Sequence, residues 1–227
     1  MNYQDNKVNL SFLNKTFKKF GQTYAPIIGK YIDSRSLTLM TLIWSTLIIL
    51  MGVLSRDNPL FIWGIIIIII FQQLTDSLDG AVGRFNKEGY IKWGFFMDHL
   101  LDVIFAFSIF ISIMIYFYKK NNYILLYFFI IMICTVINMI SALMLACEDK
   151  GIDMSICFLN NCISTDESRV GLIILLILIM YNYKKIYNIL IIIILIISIF
   201  FTIYNIYNKQ KKELNKDEIN NLKNSFI

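Results

Sequence analysis

The chain has 227 residues, of which 57% are hydrophobic and 16% are charged. Together with a mean hydropathy of +0.63, this composition excludes an ordinary soluble domain and indicates a small multi-pass membrane protein. The net charge of +5 suits anionic lipid head groups and gives no reason to expect nucleic-acid binding. With no Gly/Ser-rich or Pro-rich linker in the chain, we expect a single transmembrane domain at residues 37–207.

The N-terminal segment, residues 1–36, predicts a helix at the membrane surface. Apolar side chains recur there every three to four residues from Leu13 to Tyr31, and Lys15, Lys18 and Lys19 point elsewhere. Such a stripe is typical of an amphipathic helix lying in the interface plane. A helix that packs against the protein core is the alternative interpretation.

Six apolar runs follow, and crossing about 30 Å of hydrocarbon takes roughly 20 such residues. The runs cover residues 37–54, 60–74, 94–118, 123–147, 170–183 and 186–207. The fifth is short, so we expect its helix to extend back toward Asp166. Residues 208–227 are polar and predict a solvated or partly disordered cytoplasmic tail. The predicted fold is an all-α polytopic membrane protein with six transmembrane helices and an N-terminal amphipathic helix.

Lysine and arginine predict the orientation, because these residues accumulate on the cytoplasmic side of membrane proteins. With the N-terminus inside and six crossings, the inner segments hold 16 of the 21 Lys and Arg residues. Both termini, and the segment between the second and third runs, are therefore predicted to be cytoplasmic.

That segment and the helix ends beside it carry four carboxylates, in the stretch TDSLDGAVGRFNKEGYIKWGFFMDHLLD at residues 75–102. Asp76 and Asp79 are three residues apart and Asp98 and Asp102 four apart, so each pair lies on one helix face. Four converging carboxylates would repel one another at a membrane boundary. Oxygen ligands without cysteine favour Mg²⁺ or Mn²⁺. The sequence therefore predicts a divalent-metal site, with a salt-bridged helix end as the alternative.

Small and basic residues accompany the first carboxylate pair. Gly80 and Gly83 fall on its face and remove side-chain bulk, which lets a pyrophosphate approach the backbone. Arg84 offers a planar fork of donors that suits phosphate oxygens. These residues predict a nucleotide or pyrophosphate contact beside the metal site.

The stretch resembles the motif of the CDP-alcohol phosphotransferases, or CDP-alcohol phosphatidyltransferases. The family pattern D-x-x-D-G-x-x-A-R, eight or nine residues, then G-x-x-x-D-x-x-x-D corresponds here to Asp76, Asp79, Gly80, Gly83, Arg84, Gly94, Asp98 and Asp102. Gly83 departs from the pattern, because the family usually has alanine there. The six-span layout and the N-terminal helix are also similar to this family, and Thr165–Arg169 is similar to the Thr-Glu-bearing start of the fifth span in some members.

The resemblance implies transfer of a substituted phosphate from a CDP-linked alcohol to a hydroxyl acceptor, with release of CMP. It implies a homodimer and two Mg²⁺ or Mn²⁺ ions. It assigns metal binding to Asp76, Asp79, Asp98 and Asp102, and makes Asp102 also the catalytic base. It assigns nucleotide contacts to Gly80, Gly83, Arg84 and Gly94.

The choice of substrate is predicted from chain size. Family members that use CDP-choline or CDP-ethanolamine with diacylglycerol tend to be longer, so the chain looks more like those that take CDP-diacylglycerol. The pair Asp98–His99 also occurs in the choline and ethanolamine branch, which is therefore the alternative. A phosphorylated acceptor would need extra basic groups near the site. The candidates are Lys87, Lys92, Lys150 and Arg169.

Other polar residues in the spans are given lesser roles. His99 is adjacent to Asp98, and neighbouring helix positions point about 100° apart, so His99 is expected to pack rather than bind metal. Asn138, Ser141 and Glu148 lie on one face of the fourth span and either line an acceptor pocket or bond neighbouring helices.

Two other classes of protein also place carboxylates at a membrane. A cation or solute carrier would need polar residues in several spans, whereas the fifth and sixth runs are almost purely aliphatic. A prenyltransferase also uses Asp-rich metal motifs, but the glycines and Arg84 at fixed offsets fit the CDP-alcohol pattern better.

Overall fold

The computed structural model describes residues 12–88, 91–118, 120–148, 156–158, 161–163 and 165–224, with side chains at 13, 15–88, 94, 96–118, 120–138 and 169–207. These ranges form seven helices, which confirms the all-α prediction. The helices are α1 (Phe12–Ile28), α2 (Ser34–Ser55), α3 (Phe61–Phe85), α4 (Ile91–Phe117), α5 (Asn122–Glu148), α6 (Thr165–Met180) and α7 (Lys184–Asn224). Two three-residue strands, β1 (Ile156–Phe158) and β2 (Asn161–Ile163), pair antiparallel before α6 and were not predicted.

Four helices in the described part of the chain are long and apolar enough to cross a membrane. They are α2, α3, the Phe96–Phe117 part of α4 and the Lys184–Tyr207 part of α7. The described apolar parts of α5 and α6, Asn122–Asn138 and Arg169–Met180, are shorter. A membrane protein with several spanning helices is therefore supported, and six crossings stay a prediction.

Helix ends follow from local backbone chemistry. The N-terminus of α2 is capped by Asp33, whose carboxylate accepts a hydrogen bond from the Ser36 N–H at 3.2 Å. At the C-terminal end of α3, Lys87 takes a left-handed backbone conformation with φ of 53°, and the Glu88 N–H donates to the Gly83 carbonyl at 3.0 Å. The motif's first carboxylate pair is thus helical, because α3 runs unbroken from the isoleucine run to this turn.

Several helices extend beyond their apolar runs, and α6 and α7 are two of them. The expected extension of the fifth span toward Asp166 is confirmed, since α6 begins at Thr165. The tail is helical through Asn224 as a continuation of α7, and its solvated, cytoplasmic character stays a prediction. Ten of the 17 residues at 208–224 are Lys, Glu, Gln or Leu, which favour a helix in water.

The first helix, α1, packs on α3 through small residues. A side chain at Gly21 would collide with the carbonyl oxygen of Ser77, and Ala25 is only 2% exposed. Half of the predicted apolar stripe points away from this contact, since Tyr24, Ile27 and Tyr31 are 44%, 59% and 85% exposed. One face of α1 therefore packs in the protein, and the interfacial placement of its other face stays a prediction.

The core of the bundle lies between α2, α3, α4, α5, α6 and α7. Buried side chains from all six helices form one apolar cluster, which includes Ile48, Ile65, Ile69, Phe105, Phe128, Leu175 and Ile191. Helix α2 lies close to α4 at Gly52, which faces Ser112. Small residues let helix backbones come together in this way inside membranes.

Replacing Gly52 by alanine is expected to lower the melting temperature of the detergent-solubilised protein. The added Cβ would lie 2.7 Å from the Cα of Ser112, and because that atom is backbone the two helices must move apart. Overpacking of this kind typically costs about 1–3 kcal/mol. Gly171→Ala in α6 is the control, since no described atom lies within 4 Å of the added Cβ. Equal melting of both variants would contradict the close contact.

Candidate active site

Three carboxylates converge where α3 and α4 face each other. One oxygen from each of Asp76, Asp98 and Asp102 lies within 4.8 Å of the other two. Asp76 comes from α3, and the other two lie one turn apart near the start of α4. The structure thus brings together three of the four residues predicted to bind metal. We call these three residues the carboxylate cluster.

The fourth predicted ligand, Asp79, is engaged differently. Its Oδ2 accepts a hydrogen bond from the Thr38 hydroxyl of α2 at 3.0 Å, and its Oδ1 accepts one from the Gly80 N–H. Asp79 is 8% exposed, so these donors replace the water that a carboxylate would otherwise bind. Asp79 lies next to the carboxylate cluster in sequence but outside it in space, and its role as a metal ligand stays a prediction. Thr38 was not singled out by the sequence.

Arg169 reaches the carboxylate cluster from α6. Its Nη1 donates to Asp76 Oδ2 and its Nη2 to Asp102 Oδ1, both at 2.9 Å, and Nη1 also donates to Gln73 Oε1. The Arg169 side chain is 11% exposed. Sequence reasoning placed Arg169 among residues that contact the acceptor. In the structure its guanidinium neutralises part of the charge of the carboxylates, and its contact with the acceptor stays a prediction.

Two adjacent glutamines of α3 support the cluster and were missed by the sequence analysis. Gln72 is completely buried, and its Nε2 donates to Asp102 Oδ1 at 3.4 Å. Gln73 is 7% exposed and accepts the bond from Arg169. The available signal was a pair of amides at the end of an isoleucine run, because polar groups in a spanning helix are costly and face the bundle interior.

The three predicted nucleotide-binding glycines have different surroundings. A Cβ at Gly80 would lie 3.4 Å from Arg84 Nη1, so the exposed guanidinium of Arg84 covers that position. A Cβ at Gly83 would lie 3.3 Å from the Ser34 hydroxyl, and the small residue there serves the packing of α3 on α2. At Gly94 no described atom lies within 4 Å of an added Cβ, so space is open at the start of α4.

Glu88 fixes the turn after α3 to the start of α2. The Ser34 backbone N–H and hydroxyl donate to the two carboxylate oxygens of Glu88 at 3.3 and 2.5 Å. These hydrogen bonds, above all that from the hydroxyl, hold the pKa of the Glu88 carboxyl below its usual value. The neighbouring Lys87 is exposed. The side chains of Lys92 and Lys150, also predicted as acceptor contacts, lie outside the described residues.

The lesser candidates are accounted for in part. His99 Nδ1 lies 4.0 Å from Asp98 Oδ2, and His99 supplies no atom to the carboxylate cluster. Asn138 of α5 donates to the Thr202 hydroxyl and accepts from the Asn205 amide of α7, both at 2.9 Å. Asn138 therefore forms hydrogen bonds between α5 and α7, which is one of the two roles that the sequence predicted for it. The side chains of Ser141 and Glu148 are outside the described part.

A bundle of spanning helices with clustered carboxylates beside helix ends defines an integral membrane protein with a polar site suited to a cation. The family model named CDP-alcohol phosphatidyltransferase matches residues 34–206, from the first residue of α2 into α7. The chain belongs to the CDP-alcohol phosphatidyltransferase family, which confirms the resemblance in the motif. The protein is thus a membrane transferase of phospholipid biosynthesis. No curated protein matches the chain.

Proposed function

We propose that this protein transfers a phosphatidyl group from CDP-diacylglycerol to the hydroxyl of an alcohol. The acceptor oxygen forms a bond to the phosphorus that carries diacylglycerol, and the bond from that phosphorus to the bridging pyrophosphate oxygen breaks. CMP leaves with the bridging oxygen, and the hydroxyl proton passes to a base. The observation that carries this proposal is the carboxylate cluster on α3 and α4, in a chain that belongs to this family.

The residues of the cluster fit Mg²⁺ or Mn²⁺. Its donors are carboxylate oxygens within 4.8 Å of one another, which is the ligand type that both ions prefer. The buried Gln72 Oε1 has no hydrogen-bond partner in the described part, although the amide nitrogen of the same side chain donates to Asp102. Such an acceptor suits an ion or its bound water. We propose two ions, held by the cluster together with Asp79.

Bound divalent ions would neutralise the pyrophosphate charge and stabilise the departing CMP. The protein's own groups must orient the substrates and accept the proton. Asp102 is proposed as the base, since it belongs to the cluster and its Oδ1 accepts a hydrogen bond from Gln72 at 3.4 Å. A carboxylate is a weak base for an alcohol, so Asp102 accepts the proton as the acceptor attacks. Arg84, exposed at the end of α3, is proposed to bind phosphate oxygens.

The positions of Lys and Arg support two further proposals, the side of the membrane that bears the site and the residues that contact the acceptor. The distribution of Lys and Arg supports cytoplasmic termini and a site on the cytoplasmic side, where the nucleotide is available. Lys87, Lys92 and Arg169 are proposed contacts for a phosphorylated acceptor. A homodimer is proposed on the family resemblance.

The assay that tests the donor measures CMP release by purified protein in lipid vesicles. We expect release from CDP-diacylglycerol in the presence of one member of a panel containing serine, inositol, glycerol 3-phosphate and inositol phosphate. Release from CDP-choline with diacylglycerol, and not from CDP-diacylglycerol with any acceptor of the panel, would overturn this assignment. That result would favour the branch in which an Asp–His pair such as Asp98–His99 occurs.

Replacing Gly94 by alanine tests the open space at the start of α4. The variant is expected to melt at the wild-type temperature or slightly above, because no described atom opposes the new Cβ and alanine favours a helix. If substrate occupies this space, the methyl group displaces it, and kcat/KM falls by about 100-fold. The measurement pairs a melting curve with the CMP assay. Unchanged kcat/KM would remove Gly94 from the proposed substrate contacts.

A further inference from the structure

Arg169 holds two members of the carboxylate cluster from a third helix. Its two terminal nitrogens each bond a different carboxylate, Asp76 on α3 and Asp102 on α4, at the same distance of 2.9 Å. The side chains of all three residues are at most 20% exposed. Water therefore screens these ion pairs weakly. Among the described residues, the positive group that directly contacts the cluster is this guanidinium.

A divalent ion bound by the cluster and this guanidinium would share the carboxylates of Asp76 and Asp102. Asp76 Oδ2 and Asp102 Oδ1 are occupied by N–H donors of Arg169, and an ion bound between those carboxylates would place like charges side by side. Arginine cannot relieve this repulsion by losing a proton, because its side chain stays protonated in proteins. Cation binding and the present position of Arg169 therefore exclude each other.

We infer that Arg169 is an internal counter-cation, which holds Asp76 and Asp102 in the metal-free protein and is displaced when a divalent ion binds. The inference rests on the proposed metal site and adds that Arg169 competes with the ion for the carboxylates. Metal-free carboxylates at the membrane are thereby kept compensated, and the protein stays folded before the ion arrives. Binding of the ion also breaks the ion pairs that join α6 to α3 and α4.

Metal affinity tests the competition directly, without any turnover. Mn²⁺ binding to metal-free protein is measured by the electron paramagnetic resonance signal of the free ion, for wild type, Arg169→Gln, Arg169→Lys and Arg56→Gln. If Arg169 occupies the site about nine-tenths of the time, its removal raises Mn²⁺ affinity about tenfold. Lysine cannot bridge two carboxylates as a fork, so Arg169→Lys is expected to fall in between. Arg56 packs over Tyr118 instead, and its variant should match wild type.

Thermal melting supplies a second readout that separates a counter-cation from a merely structural arginine. Metal-free Arg169→Gln is expected to melt below wild type, and saturating Mn²⁺ should raise its melting temperature more than that of wild type. If the glutamine variant does not fold, Arg169→Lys carries the same comparison.

The outcomes separate this inference from the proposed function. One outcome is that wild type binds Mn²⁺, Asp98→Asn does not, and Arg169→Gln and Arg169→Lys bind Mn²⁺ no more tightly than wild type. This outcome would overturn the role of Arg169 as a counter-cation and would still support the metal site. Absence of Mn²⁺ binding in wild type and in both Arg169 variants would overturn the metal site itself. Tighter binding in Arg169→Gln, with Arg56→Gln unchanged, supports the inference.

Discussion

Asp102→Asn is expected to abolish transfer and leave the protein folded. An asparagine oxygen can still accept the hydrogen bonds that Arg169 and Gln72 now donate to Asp102 Oδ1, so the local structure persists. The amide cannot take up the acceptor's proton, and loss of a positioned base costs about 10²- to 10⁴-fold in rate. The measurement is single-turnover CMP release, together with a melting curve and equilibrium binding of the CDP-alcohol.

Asp57→Asn is the matched control, because Asp57 is an exposed carboxylate in the turn between α2 and α3. This variant should turn over like wild type. Near-normal turnover in Asp102→Asn would remove Asp102 from the mechanism. Loss of both turnover and CDP-alcohol binding would indicate that Asp102 acts in binding rather than as the base.

Removal of divalent metal is expected to abolish transfer completely, and Mg²⁺ or Mn²⁺ should restore it. The substrate brings a pyrophosphate to a site that already contains the carboxylate cluster, and these negative charges repel one another without added cations. The experiment measures CMP release in excess chelator and then titrates each metal back.

Chelator already saturated with Mg²⁺ is the control for direct effects of the reagent, and it should leave turnover unchanged. The melting temperature should show that the chelated protein is still folded, because Arg169 compensates Asp76 and Asp102 in the absence of an ion. Full turnover in excess chelator would contradict the metal-assisted mechanism.

The carboxylate motif was predictable because its geometry is local. Spacings of three and four residues place Asp98 with Asp102 on one helix face whatever the rest of the fold does. The chain's membership in the family, first inferred from these spacings, is confirmed. That Asp79 turns toward Thr38 was not predictable, because the hydrogen bond joins residues 41 positions apart on two helices.

The counter-charge at the cluster was beyond the sequence for the same reason. Arg169 is 93 residues from Asp76 and 67 from Asp102, and no periodicity connects positions so far apart. The basic residues close to the carboxylates along the chain are Arg84, Lys87 and Lys92. In the bundle, the arginine that contacts the cluster comes from α6. The packing of the helices therefore determines which basic residue pairs with the carboxylates.

Helix ends were predicted less well than helix positions. An apolar run indicates which residues lie in the apolar layer, whereas a helix ends where its backbone hydrogen bonds end. The second run ends at residue 74, yet α3 continues to Phe85, and only the helical spacing of Asp76 and Asp79 indicated part of this extension. The helical tail of α7 repeats this pattern. The short pair of strands before α6 has no alternating apolar pattern that would have indicated it.

The close contact of Gly21 with Ser77 makes a mechanical link between the first helix and the turn of α3 that bears Asp76. Backbone touches backbone there, so no flexible side chain absorbs relative movement. A force on α1 is therefore transmitted to the turn that bears Asp76 as a displacement. Ile27 in α1 and Tyr31 in the turn after it are largely exposed, so whatever they contact acts on the Asp76 turn through α1.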